Sequence, residues 1–474
     1  MAAEETKRVI IAGAGPAGLT AAYELCRRKA VPLVFEKNGI VGGISRTEQF
    51  QGYRLDIGGH RFFTKNTLIN KIWDQMLRDK FLRVPRLSRI YYKGRFFNYP
   101  LKIKNVILGL GCWESFLIFL SYLHSFLLPY PKEDSLEEWV SNRFGKRLYR
   151  TFFQTYTEKV WGIPCSQIRA EWVAQRIKGL SFRTAVANAI VGSRNKNIKT
   201  LIDEFQYPAL GPGMMWEEFQ SYIINNGGQI NLNREVLKVR LRGNRVIGIE
   251  TDSLQQPKFV EADDFIMSLP LTDLVARMEP APPAEVLEAA RHLRYRDFLT
   301  VFLIVQHPNL FPDNWIYIHS KEVRMGRLQN YKNWSPHMVA DPEKTGLGVE
   351  YFANENDELW CMPDKDLVAL ASRELESVGL TRGARIEKGV VYREKKAYPI
   401  YNEDYQKHMN VIREFLRGIE NLHTVGRNGL HKYNNMDHSM LTALMAVDNI
   451  YGANHDIWGV NSDSSYQEEI ETKE

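Results

Sequence analysis

The chain has 474 residues, 44% apolar and 25% charged, with a formal net charge of +6. It is too long for one small core, and its proportions are those of an ordinary globular protein of two or three interleaved domains. No basic stripe interleaved with aromatics accompanies the modest positive charge, so no nucleic-acid partner is expected; an anionic substrate or membrane surface suits it better.

The first element is an apolar strand, Val9 to Ala12, which leads into Gly13-Ala14-Gly15-Pro16-Ala17-Gly18. A helical pattern follows from Leu19 to Arg28, and Leu33-Val34-Phe35-Glu36 reads as a second strand ending in an acid. Strand, G-x-G-x-x-G, helix, strand and acid in this order are the fingerprint of a dinucleotide site. Gly13 makes the tight turn, Gly15 lets the backbone approach a pyrophosphate, and Gly18 lets helix and strand pack closely. Glu36 is placed to bind a ribose hydroxyl, and the helix N-terminus offers free N–H groups to phosphate. A second glycine pair, Gly42-Gly43-Ile44-Ser45-Arg46, is expected to bring more backbone amides and a cation to the same pyrophosphate.

Further along, Arg54 to His60 reads as strand and turn, and Tyr91 to Phe97 as a hairpin about Lys93-Gly94. Residues 106–128 are mostly apolar, interrupted by Glu114 and His124. The favoured reading is a buried helix of the second domain; the alternative is a helix lying on a membrane, since Trp113, Phe116, Phe119 and Tyr122 suit an interface. A true span is disfavoured by the internal charge and Gly109-x-Gly111. Ser135 and Glu138 form a capping box, and helical period continues to residue 190, ending in a basic loop about Ser193 to Lys196. Gly211-Pro212-Gly213 turns into a helix over Trp216 to Asn225, and two strands, Glu235 to Leu241 and Arg245 to Asp252, meet at Gly243-Asn244. A strand from Asp264 to Leu269, a helix from Asp366 to Val378 and a closing helix from His438 to Tyr451 complete the pattern. Four cysteines (Cys26, Cys112, Cys165, Cys361) without a C-x-x-C indicate neither a disulfide framework nor a zinc site, and no metal is expected. The first strand begins at once, so no signal peptide is expected and the compartment reads as cytoplasmic, with peripheral membrane contact through 106–128 as the alternative.

Gly13, Gly15, Gly18, Glu36, Gly42, Gly43 and Arg46 together resemble flavoproteins of the amine oxidase and protoporphyrinogen oxidase superfamily, which implies FAD in preference to NAD. Asp56-Ile57-Gly58-Gly59-His60-Arg61 is similar to the glycine–histidine loop of UDP-galactopyranose mutases, and Tyr92 to Pro100 to their Y-K-G hairpin. Tyr156-Thr157-Glu158-Lys159-Val160-Trp161 resembles their Y-T-E-K-x-W signature, with Arg176 near their diphosphate-binding Arg and Arg296 near a second. Ala397-Tyr398-Pro399-Ile400 looks like their Y-P block, and Gly426-Arg427 through Tyr433-Asn434-Asn435-Met436-Asp437 like their closing flavin-binding stretch. In two respects the chain departs from the pattern. Asn435 stands where the family has Asp, and the stretches 100–135 and 305–360 look expanded, as in protoporphyrinogen oxidases.

The resemblance implies an α/β fold: a Rossmann-type FAD-binding domain interleaved with a mixed α+β substrate domain, an antiparallel sheet plus a helical insertion. It assigns 1–95, 201–275 and 401–460 to FAD binding, 96–200 to the helical insertion, 276–400 to the substrate sheet and 461–474 to a flexible tail. His60, Arg176 and Arg296 are the expected catalytic group, and Trp161, Tyr398, Tyr433 and Asn435 the expected substrate contacts. Gly59, Gly426, Arg427, Met436 and Asp437 join the cofactor set. The chemistry implied is pyranose–furanose exchange of a nucleotide sugar through reduced flavin, as in polysaccharide biosynthesis. The alternative is an oxidoreductase acting on a hydrophobic or lipid-linked substrate with an external electron donor or acceptor.

Overall fold

The computed structural model describes residues 7–170, 204–252 and 258–461. Arg176, the loop about 193–196 and the tail beyond 461 lie outside these residues.

Strand β1 (Arg8–Ala12) is followed by helix α1 (Pro16–Arg27) and strand β2 (Val31–Phe35). Gly15 caps the helix and Pro16 opens it, where its missing N–H costs nothing. β1 is the central strand of a five-stranded, wholly parallel sheet in the order Leu422–Thr424, Asp264–Met267, β1, β2, Gln229–Asn231. Val9, Ile10, Ile11 and Ala12 are all fully buried, as expected of a parallel strand covered on both faces.

A second, seven-stranded sheet holds the long strands β3 (Arg294–Val305) and β4 (Ile386–Ile400) at one side. The hairpin Ser88–Tyr92/Arg95–Asn98 forms its other edge, turning at Lys93 and Gly94 with φ of 48° and 75°. All its pairings are antiparallel except Trp315–Ile318 against Ser88–Tyr92. A smaller four-stranded sheet contains the hairpin Val236–Arg242/Arg245–Thr251.

Helices cover one side of the large sheet. Helix α2 (Ile103–Leu110) and helix α3 (Cys112–Leu127) are separated by Gly111 at φ 87°. The Ser135–Glu138 capping box opens the next helix, Leu136–Phe144. Trp139, Tyr149, Phe152 and Trp161 from this layer share a core with Phe298 and Tyr398 of the large sheet. The final long helix, α4 (Met436–Ile450), packs Ala443 and Val447 into the same core as Ala21, Ala22 and Leu25 of α1.

The apolar stretch 106–128 departs from its favoured reading. It is two helices rather than one, and most of its large apolar side chains face solvent: Leu108 is 80% exposed, Trp113 71% and Leu127 72%. Apolar content alone pointed to burial; the direction of the apolar face is a tertiary property that composition does not carry.

Candidate active site

A cavity of about 900 Å³ runs from the β1–α1 turn to the underside of the large sheet. At its first end the wall is backbone. Gly13, at φ 101°, donates its N–H to the Phe35 carbonyl at 2.8 Å, which closes the turn. Gly15 and Gly43 meet backbone to backbone: a Cβ built on Gly43 would lie 3.2 Å from the Cα of Gly15. Gly42 N–H donates to the Ala14 carbonyl at 2.8 Å and locks the two loops together. Gly18 and Gly42 do not line the cavity. A Cβ on Gly18 would sit 1.9 Å from the Gly13 oxygen, so its part is to let α1 close on β1.

Glu36 is buried and lines the cavity, with Oε2 accepting from Ala14 N–H at 2.8 Å and Oε1 from Asn38 N–H at 2.9 Å. Each oxygen keeps a lone pair for a further donor. Arg46 does something other than expected. Its guanidinium is held between Glu48 (2.6 Å) and Glu394 (2.8 Å) and is not on the cavity wall. Two carboxylates neutralise it, so the wall here lacks the cation anticipated from the Gly-Gly-x-x-Arg pattern.

At the other end side chains make the wall. The loop carrying Gly59 and His60 hangs from Asp56, which is fully buried. Tyr207 donates its hydroxyl to Asp56 Oδ2 at 2.6 Å, Thr47 to Oδ1 at 3.3 Å, and Tyr331 to the Asp56 carbonyl at 2.6 Å. Burial pushes the Asp56 carboxyl up to about 8, against the lowering pull of the Tyr207 and Thr47 hydrogen bonds. The proton it then keeps avoids an unpaired buried charge.

His60 is driven the opposite way, down to about 3, first by burial and then by the charges of Arg427, Arg327 and Arg46. It is therefore a neutral imidazole at physiological pH. Its Nδ1 is buried and has no hydrogen-bond partner, although the ring borders the cavity.

Arg427 donates from Nε to the Ala397 carbonyl (2.8 Å) and from Nη1 to the Asn434 carbonyl (3.3 Å). Its guanidinium lies 3.9 Å from the Tyr433 ring centre and 5.0 Å from that of Tyr398. The two tyrosines stack at 5.7 Å and 26°, and both line the cavity. Burial pushes the Tyr398 hydroxyl up to about 12, so it is a donor, not a phenolate, at working pH. Trp161 stands behind them, buried, 6.4 Å from Tyr398 and 6.3 Å from Tyr433. It braces the wall rather than forming it.

The expected pair of diphosphate-binding arginines is not assembled among the described residues. Arg176 lies outside them. Arg296 is buried and off the cavity, donating to the Phe352 carbonyl at 2.8 Å and pairing with Asp357 at 3.4 Å. Beside Arg427 the structure places a second guanidinium on this wall, that of Arg327, which the sequence reading missed. It pairs with Glu350, a carboxylate with no exposed side chain, and Gln329 donates to the same carboxylate at 2.9 Å. Burial works against the Arg327 charge, and Glu350 outweighs it. Arg327 and Gln329 alternate on one face of a strand, a pattern that in sequence looks the same as a solvated edge.

The closing stretch lies along the cavity. Gly426, Asn435, Met436 and Asp437 all line the cavity. Asn435 is the N-cap of α4, its N–H donating to His438 Nδ1 at 3.3 Å, so α4 aims its positive end inward. Asp437 accepts from the Thr64 hydroxyl at 2.7 Å. A long cavity with a glycine cradle, a ribose-type acid, a helix N-terminus and an orphaned buried imidazole nitrogen fits a flavin nucleotide better than a small substrate alone.

Comparison with known proteins agrees. The crystal structure of a reduced UDP-galactopyranose mutase superposes with a TM-score of 0.83 at 20% identity, covering 96% of this chain and 98% of that one. A provisionally named protoporphyrinogen oxidase from Exiguobacterium sp. 255-15 gives 0.73 at 17% identity, covering 94% and 99%. Putrescine oxidase bound to putrescine gives 0.60 at 16%, again covering 94% and 99%. At such identities the likeness is one of fold. A thioredoxin reductase of Dictyostelium discoideum is 28% identical over 128 residues, 23% of this chain, which spans only 38% of that protein's length. Residues 16–393 match the family model for flavin containing amine oxidoreductases, most of the chain, and the protein is a member of that family of flavin enzymes.

Proposed function

We propose that the enzyme binds FAD and acts on a nucleotide-activated sugar, exchanging its pyranose and furanose forms. In this reading Glu36 takes the adenosine ribose, while Gly15, Gly43 and Gly426 let backbone approach the diphosphate. The N-terminus of α4, with Met436 and Asp437, meets the flavin end. Bound flavin supplies a redox-active ring whose reduced form carries a nucleophilic nitrogen.

The observation that carries the proposal is the far wall: two half-buried guanidinium groups, Arg327 and Arg427, beside stacked Tyr398 and Tyr433. Cations and phenol donors together suit an anionic, polyhydroxylated substrate, whereas a protonated amine is repelled by them. His60, held neutral, can donate or accept one hydrogen bond there without adding charge. Asn435 offers an amide where the family carries a carboxylate, which favours a sugar other than galactose.

A second reading, an oxidoreductase for a hydrophobic or lipid-linked substrate, is favoured by the apolar face of α2 and α3 and by the withdrawal of Arg296 from the cavity. One experiment separates the two. Dithionite-reduced and oxidised enzyme are each incubated with a panel of nucleotide sugars, and products are resolved by chromatography. An isomeric product made only by reduced enzyme, with no net oxidation, supports the mutase reading. Bleaching of oxidised flavin by a candidate substrate without isomer formation overturns it.

A further inference from the structure

Helix α3 has its polarity inverted. The side facing the protein carries Glu114, Ile118, Ser121 and Ser125. Glu114 pairs twice with Arg147, at 2.6 and 2.8 Å. Ser121 Oγ accepts from the Arg147 N–H at 3.0 Å, and Ile118 and Ser125 are buried. The side facing outward carries Trp113, Phe116, Leu120, Leu123 and Leu127, spaced as one helical stripe and all exposed. Leu108 of α2 is exposed as well. Water is the wrong solvent for such a face, since contiguous exposed apolar patches mark interaction or membrane sites.

We infer that α2 and α3 form a monotopic anchor that lies in the headgroup region of an anionic lipid bilayer. Two observations choose lipid over a second copy of the chain. Between Lys93 and Lys132 the sequence has five basic residues, Lys93, Arg95, Lys102, Lys104 and Lys132, and one acid, Glu114, which Arg147 neutralises. All five basic residues are exposed. A two-fold dimer through this face would set like charges against like, whereas anionic headgroups complement them. Geometry agrees. No helix among the described residues is long and apolar enough to cross a membrane, and the 16 residues of α3 span roughly 24 Å, short of a bilayer core. An amphipathic helix lying flat, with Trp113 at headgroup depth, needs no such length.

The inference stands apart from the choice of substrate, and its test uses the full chain. The protein is sedimented with vesicles of phosphatidylcholine alone and of phosphatidylcholine with phosphatidylserine. Binding is expected to the anionic vesicles and to weaken with salt. The pair Trp113→Ser with Leu120→Ser should lower binding at least tenfold, and Lys102→Glu with Lys104→Glu about tenfold. Flavin absorbance and the thermal midpoint of each variant, expected unchanged, show that it is folded. Failure to sediment with anionic vesicles overturns the proposal, as does equal binding to both vesicle types. So does a dimer in analytical ultracentrifugation that Leu120→Ser abolishes while no vesicle binding is seen.

Discussion

The two ends of the cavity are built on different principles. At the β1–α1 end the wall is backbone from residues close in sequence: Gly13, Gly15 and Gly43 matter for the side chain they lack. At the far end the wall is side chains from remote segments, with His60, Arg327, Tyr398 and Arg427 converging from four places in the chain. A backbone cradle is robust to charge and pH, and sensitive to a single methyl group. The side-chain wall is a balance of buried charges, so removing one partner strands another.

The largest effect is expected where that balance is broken. Arg327→Met leaves the Glu350 carboxylate buried without its cation, which costs about 3–5 kcal/mol. Denaturant unfolding of the single variant and of Arg327→Met with Glu350→Gln measures it. The double variant should recover at least half of the loss, because no stranded charge remains. If single and double are equally destabilised, the far wall is held by packing rather than by charge.

At the cradle end, Gly18→Ala places a methyl carbon 1.9 Å from the Gly13 oxygen. Helix α1 must then move off β1, at a cost of about 3 kcal/mol. Purified protein should carry well under half the flavin of the parent, read from its visible absorbance. Full flavin content would mean that the cradle is less tight than its glycines imply.

Asp56 and His60 sharpen the contrast through pH. The Asp56 carboxyl is raised to about 8, so between its ordinary value and 8 the folded state keeps a proton that the unfolded chain has lost. Stability from this group therefore falls as pH rises toward 8. His60 is lowered to about 3, so its share is complete above its ordinary value and is lost as pH falls from there toward 3. The two oppose each other in mild acid, and above about pH 6.5 only Asp56 still acts. The parent should lose on the order of 2 kcal/mol between pH 6.5 and 8. Asp56→Asn, which cannot ionise, should flatten that limb in a thermal-shift series. A parallel slope in the variant would remove Asp56 as its source.

The same division explains what was legible beforehand. The G-x-G-x-x-G turn, the Lys93-Gly94 hairpin and the Ser135–Glu138 capping box are local devices, set by spacing within a few residues, and each stands where its pattern put it. Arg296 and Arg327 show the reverse. Both are arginines on strands of the large sheet, yet one faces the Phe352 carbonyl and the other the cavity. Which side of a strand meets a cavity depends on the layer packed against it, and nothing within a few residues records that. Helix α3 failed for a related reason. Its apolar stripe at helical spacing was readable, but not whether core or solvent lay on that side; the polar contacts of Glu114 and Ser121 with Arg147 decide it.

The smallest effect on stability, and the most informative on substrate, is expected at Asn435. As N-cap of α4, it is replaceable by Asp within about 0.5 kcal/mol, because both residues cap well and a negative charge suits a helix N-terminus. Asn435→Asp should therefore leave the thermal midpoint and flavin content where they are, whereas Asn435→Ala should cost about 1 kcal/mol. The carboxylate would add negative charge to a cavity that carries Arg427 beside the stacked tyrosines, so an anionic nucleotide sugar should bind more weakly, with KM raised several-fold. An uncharged substrate would feel little of this. Comparing KM for parent and Asn435→Asp thus reads the sign of the substrate's charge without knowing the sugar: a rise supports the nucleotide-sugar reading, and an unchanged KM favours the hydrophobic one.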